Sequence, residues 1–178
     1  MRAFLAMLLI SAGVQAADAP VTVTLSGLTA KVPDGWKSEK PDNLLRSYQF
    51  KLATPDKDHA DAEVIVMPES SKDVAKNFNK WTGQYTPPDD KKAEVVSTTT
   101  MFEQAGATFH TLDVSGTWKY RERPNDAKTE KILPEFRTIW VMVIASGETT
   151  HLRFSGHTSA VEKHEKDFTA FLKALQAK

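Results

Sequence analysis

The chain contains no cysteine. That excludes a disulfide framework, a thiolate nucleophile, a cysteine-ligated zinc site and a lipid anchor on an N-terminal thiol. Stability must come from an ordinary core. A charge excess is missing too: 23 lysines and arginines balance 23 aspartates and glutamates. There is therefore no basic field of the kind that draws nucleic acid or an anionic bilayer. Beyond the first residues no apolar run nears the ~20 residues of a spanning helix. Residues 139–145 form an apolar run that is far too short. The sequence also has no G-x-S-x-G elbow, phosphate loop, dinucleotide fingerprint or H-E-x-x-H helix, so no cofactor, metal or catalytic set is expected.

What is present begins with a leader. Arg2 supplies a positive start, Phe4 to Ile10 a short apolar run, and Val14-Gln15-Ala16 a small-x-small cleavage site. Residues 1–16 are expected to be a signal peptide, with the mature chain starting at Ala17 in a periplasmic or secreted location. Residues 17–178 then form a single domain, long enough to bury a core.

Residues 21–25 and 28–32 alternate as strands, the second stopped by Pro33-Asp34-Gly35. Residues 44–52 predict a strand with Arg46, Tyr48, Phe50 and Leu52 on one face and Ser47, Gln49 and Lys51 on the other. Residues 53–61 read as a polar hairpin loop and 62–67 as the returning strand. A first helix is predicted over 70–85, capped by Ser70 with Asp73. Its apolar stripe is Val74, Phe78, Trp81 and Tyr85, flanked by Asn77 and Gln84. Strands follow at 94–102 and 108–118, with a turn at Gln104-Ala105-Gly106 between them. Residues 119–134 read as a long charged loop, 135–145 as a strand apolar on both faces, and 149–157 as the last strand. The closing helix has a Ser159–Glu162 capping box and a stripe of Val161, Phe168, Phe171, Leu172 and Leu175. Hairpin-sized steps broken by one helix and closed by another predict an α+β fold, an antiparallel sheet with helices on both faces.

Several landmarks recur in one order: Val32-Pro33-Asp34-Gly35-Trp36, Leu45-Arg46, Ala62-Glu63, Asn77 with Lys80-Trp81 and Gln84, Asp113-Val114-Ser115-Gly116, and Leu152-Arg153-Phe154-Ser155-Gly156. In these the chain resembles the small exported bacterial proteins related to PsbP, the extrinsic subunit of the photosynthetic oxygen-evolving complex. The resemblance covers nearly all of the mature chain and implies an α/β/α sandwich. One departure is Pro68-Glu69-Ser70-Ser71, which lacks the glycine-rich run that the resemblance leads one to expect before the helix. A shared fold does not carry a role.

Four residues are candidate ligand or partner contacts. Arg46, expected on the core side of its strand, reads either as an anion clamp at a pocket edge or as a bridge to a carboxylate. Asn77, Trp81 and Gln84 read as an amide-bordered aromatic plane for a polar ring, or as ordinary core with capping amides. Asp56, Asp58, His59, Asp61 and Glu63 hint at a hard-cation loop but miss the EF-hand spacing, and a solvated hairpin tip makes the same list. His151, Arg153, Ser155 and His157 should share one strand face, with Asp113 nearby. The function expected is a non-catalytic accessory or binding module of the cell envelope, with an envelope protein or a small polar ligand as partner. The alternative is a small periplasmic hydrolase or other enzyme with a site near Arg46, Asp113 and Arg153.

Overall fold

The computed structural model describes residues 21–68, 71–87, 95–121 and 126–177. The expected signal peptide lies outside them, as do Ser70 and Glu94.

Eleven strands and two helices are present among the described residues. In chain order they are β1 (Thr22–Leu25), β2 (Leu28–Lys31), β3 (Lys37–Glu39), β4 (Tyr48–Leu52), β5 (Ala62–Pro68), α1 (Val74–Thr82), β6 (Tyr85–Thr86), β7 (Val96–Gln104), β8 (Ala107–Arg121), β9 (Glu130–Ala145), β10 (Glu148–His157), α2 (Thr158–Ala174) and β11 (Gln176–Ala177). Eight strands make one antiparallel sheet, ordered β3-β4-β5-β10-β9-β8-β6, with β7 also on the outer edge of β8. A second, three-stranded sheet, β1-β2-β11, is separate in its strand pairing. Tight two-residue turns fix the hairpins: Ser26-Gly27, Ala105-Gly106 and Ser146-Gly147 all have positive φ at both positions, the geometry that matches strand twist.

The two faces of the main sheet carry separate cores. On one, Phe50, Leu52, Val64, Val66, Phe109, Val141, Leu152 and Phe154 meet α2 and the small sheet. Trp36 is packed there among Phe50, Phe168 and Phe171, with ring centroids 5.3–6.2 Å apart. On the other face, Trp81 of α1 joins Tyr85, Leu112, Val114, Trp118, Trp140 and Met142. The α+β architecture with a helix on each face thus stands as expected.

Several local expectations are corrected. The first helix is nine residues, not sixteen: Asp73 is its N-cap, accepting from the Lys76 amide at 2.9 Å, and Gly83 ends it. Tyr85 stays in the buried cluster but as part of β6. The first strand pair does not join the main sheet; β11, which follows α2, pairs with it instead. The Ser159–Glu162 capping box does not form, because His157 is the N-cap of α2 and Ser159 Oγ bonds its Nδ1 at 2.9 Å. Half of the charged stretch 119–134 is strand and not loop: β8 and β9 continue as a polar ribbon, with Lys119 opposite Ile132 and Arg121 opposite Glu130.

Where that ribbon leaves the sheet, the register breaks between Gly116 and Trp118, so that Pro134 and Glu135 of β9 stand opposite the single residue Thr117 of β8. Glu135 has φ 50°. A proline that cannot donate and a residue in left-handed geometry are what a bulge accommodates, and a bulge bends and twists the strand pair. Gly116 is required here: a Cβ on it would lie 2.7 Å from the Thr86 carbonyl oxygen of β6.

Candidate functional site

The short α1 covers only part of its sheet face. Beside it the bulge and the twisted β8–β9 ribbon leave a cleft of about 800 Å³. Its floor is Arg153, placed by strand alternation: Leu152 and Phe154 enter the α2-side core, so His151, Arg153 and Ser155 point the other way. All three are buried. The Arg153 guanidinium lies 5.1 Å from the Trp118 ring centre and 5.7 Å from those of Tyr120 and Trp140. A planar guanidinium stacks on indole and phenol faces as a lysine ammonium would not.

A buried cation needs a partner. Glu63 of β5 supplies it, accepting from Arg153 Nη2 at 2.6 Å with one oxygen and from Arg46 Nη1 at 3.3 Å with the other. Arg46 Nη1 also donates to Asp42 and to Gln49 Oε1, each at 2.8 Å. The face expected for Arg46 is therefore corrected. Asn43 turns the chain, its side chain accepting from the Leu45 amide at 2.9 Å, and the strand begins only at Tyr48. Arg46 thus reaches the Gln49–Glu63 side rather than the Tyr48–Phe50–Leu52 side. It does make the bridge to a carboxylate, and it lines the cleft as well.

The other sequence candidates are elsewhere. Asn77 is buried under α1, its amide donating to the Ser71 carbonyl at 3.3 Å and facing Met142 sulfur at 3.6 Å. Trp81 is 3% exposed and stacks on Trp140 with centroids 4.4 Å apart. Gln84 Oε1 accepts from Trp118 Nε1 at 3.0 Å, which steadies an aromatic wall of the cleft from behind. The fold does not gather these three around Arg46. Asp113 is on the opposite face, where Arg137 bonds it and reaches Glu165 of α2 at 2.8 Å. Those two carboxylates push the Arg137 guanidinium above its ordinary value, against the opposing effect of burial. A site uniting Arg46, Arg153 and Asp113 is therefore ruled out by the sheet between them.

The acidic hairpin tip is tied up locally. Asp61 accepts from the Thr54 amide at 3.0 Å, Asp56 accepts from the Asp58 amide at 3.0 Å, and Glu63 serves the arginines. Among the described residues no group of three or more potential metal ligands converges. At the cleft rim His59 stacks on His157, centroids 3.7 Å apart. His157 Nε2 in turn lies 3.1 Å from Glu135 Oε2. The Ser159–His157–Glu135 chain looks superficially like a hydrolytic triad. However, Ser159 touches its histidine only two residues away, at the start of α2, and the Glu135 side chain is 78% exposed. This is the geometry of a helix entry, not of an activated nucleophile.

Sequence reasoning missed Glu63 as the bridge and Trp118, Tyr120 and Phe136 as the wall. The signal for the wall was Trp118-x-Tyr120, an alternation running into a stretch dismissed as loop, with Pro134 marking the bulge.

An antiparallel α+β sandwich, sealed on one face and cleft on the other, is the class these features define. No helix among the described residues is long and apolar enough to cross a membrane. The sequence matches no family model and no curated protein. Solved structures do resemble the chain. Cyanobacterial PsbP (CyanoP) from Synechocystis sp. PCC 6803 aligns over 96% of this chain and 99% of its own, with TM-score 0.54 and 14% identity. A Pseudomonas aeruginosa protein of unknown function aligns over 89% and 97%, with TM-score 0.52 and 14% identity. LpqN, involved in cell envelope biogenesis of Mycobacterium tuberculosis, aligns over 89% and 85%, with TM-score 0.50 and 12% identity. The fold is PsbP-like, and at these identities the likeness is one of fold.

Proposed function

We propose that this protein is a non-catalytic binding module of the cell envelope, exported by a signal peptide at residues 1–16, and that its cleft holds a small polar ligand. The leader pattern supports export. The fold shared with LpqN, a protein of envelope biogenesis, is compatible with that compartment. The observation that carries the binding reading is Arg153: a cation only 7% exposed, ringed by three aromatic residues, forming the floor of a cleft of ligand size. Burying that charge costs stability that an apolar residue would not, which makes a role in binding the better account of it. A partner docking on α1 would meet its outer face, because the Trp81 ring is turned inward against Trp140.

Two measurements test this. Fractionation with N-terminal sequencing is expected to find the chain outside the cytoplasm and starting at Ala17; an intact precursor in the cytosol overturns export. A thermal-shift screen of the purified protein against anionic, neutral and cationic small polar compounds is expected to give hits that vanish in Trp118→Ala. If no compound of any charge raises the melting temperature, the cleft is not a ligand site.

A further inference from the structure

Resting on the cleft as a ligand site, we infer that its ligand carries an oxyanion, a carboxylate or phosphate, on a flat ring. The donor inventory points there. Among the described residues Arg46 uses Nη1 for all three of its side-chain bonds, to Asp42, Gln49 and Glu63. Arg153 gives Nη2 to Glu63, while its Nε is buried and has no hydrogen-bond partner among the described residues. Each guanidinium offers five donors, so both keep unused edges. Glu63 is the reverse case: each of its oxygens already serves an arginine.

The charges agree. At the floor two guanidiniums, with Lys51 3.9 Å away, share one enclosed carboxylate; the other carboxylates of the lining, Asp42, Asp61 and Glu135, are exposed and screened by water. An incoming cation would meet aromatic faces already taken by Arg153. An incoming oxyanion meets spare N–H groups in fork geometry, suited to carboxylate and phosphate oxygens. Leu133, Pro134 and Phe136 make one wall apolar, and the volume leaves room for a ring on that wall.

Tryptophan fluorescence and calorimetry on the purified protein test this with a matched series: benzoate, phenyl phosphate, neutral benzamide, cationic benzamidine, and bare acetate and inorganic phosphate. Benzoate or phenyl phosphate is expected to bind at least about tenfold tighter than benzamide and benzamidine. The preferred one tells which oxyanion the site takes. Each bare ion should bind more weakly than its ring-bearing counterpart. Arg46→Gln should weaken the preferred ligand by about tenfold. Glu63→Gln, which frees both guanidiniums, should tighten it, and the ligand should raise the melting temperature of that variant more than that of the wild type. A merely structural Glu63 would give no such gain. Equal binding of benzamide, or tightest binding of benzamidine, overturns the oxyanion while leaving the cleft a ligand site. Bare phosphate binding as well as phenyl phosphate overturns the ring. If the whole series and the broader screen are silent, the binding reading itself fails.

Discussion

The same strands present two unlike faces. Toward α2 they offer Val64, Val141, Leu152 and Phe154, each essentially inaccessible, and the small sheet completes the seal. Toward α1 they offer Glu63, Trp140, Arg153 and Ser155. Helix length accounts for much of the difference. At 1.5 Å per residue, the 17 residues of α2 span about 26 Å and the nine of α1 about 14 Å. The long helix and the small sheet cover their face, which is filled mainly by apolar side chains, with Arg137 joining Asp113 to Glu165 of α2. The short helix covers only part, and beyond it the chain holds charge against aromatic rings instead of adding another apolar layer. The sealed face makes the domain stable, and the half-open one carries the proposed ligand cleft.

Substitutions can break that contrast. The largest loss is expected on the sealed side: Phe168→Ala, which empties the space beside Trp36 and Phe154, should cost about 3–5 kcal/mol in urea unfolding. Next comes Glu63→Ala, which leaves two guanidiniums without their shared carboxylate. It should cost about 3 kcal/mol, and replacing Arg153 by Met in the same chain should recover part of that loss. If Glu63→Ala proved neutral, the floor of the cleft would not be the high-cost arrangement described here.

Tyr85→Phe should cost about 1 kcal/mol at neutral pH through its lost hydrogen bond to Thr138, and it carries a pH signature. Burial pushes the Tyr85 phenol above the ordinary value of 10.0. Below that value the native and unfolded chains both keep the proton, so its contribution is fully present. Above it the unfolded chain ionises first, and stability falls as pH climbs. Alkaline unfolding of the wild type should therefore steepen above about pH 10, and Tyr85→Phe should flatten it. The smallest effect belongs to the exposed ribbon: Arg121→Ala, which removes a solvent-facing pair with Glu130, should change stability by less than about 0.5 kcal/mol.

Period and turn chemistry made much of this legible. The alternation of residues 151–157 put Arg153 on the face opposite Leu152 and Phe154, and the stripe at Val161, Phe168, Phe171 and Leu172 marked the α2 core; all of these are buried. Arg46 shows where the method runs out. Counting by twos from Tyr48 puts it with Phe50, but the Asn43 turn delays the strand, and that turn depends on a side-chain bond no periodicity records. Residues 119–134 failed for a related reason. Only Tyr120 and Leu133 of the ribbon pack, partly buried, against the α1-side cluster, too short an alternation to stand out among Lys119, Arg121, Glu130 and Lys131. Glu63 was visible as a residue but not as a bridge, because its partners come from a turn and from a strand ninety residues away.

On the proposed function, the half-open face receives the ligand, and the surface of α1 and the sealed face do not. Nitrogen–proton NMR of the protein titrated with the best-binding compound tests it most directly. The Arg153 side-chain Nε–H and the Trp118 indole N–H resonances are expected to move together while that of Trp36 stays still. Shifts centred on Trp36 or on the outer residues of α1, with Arg153 unmoved, would contradict it.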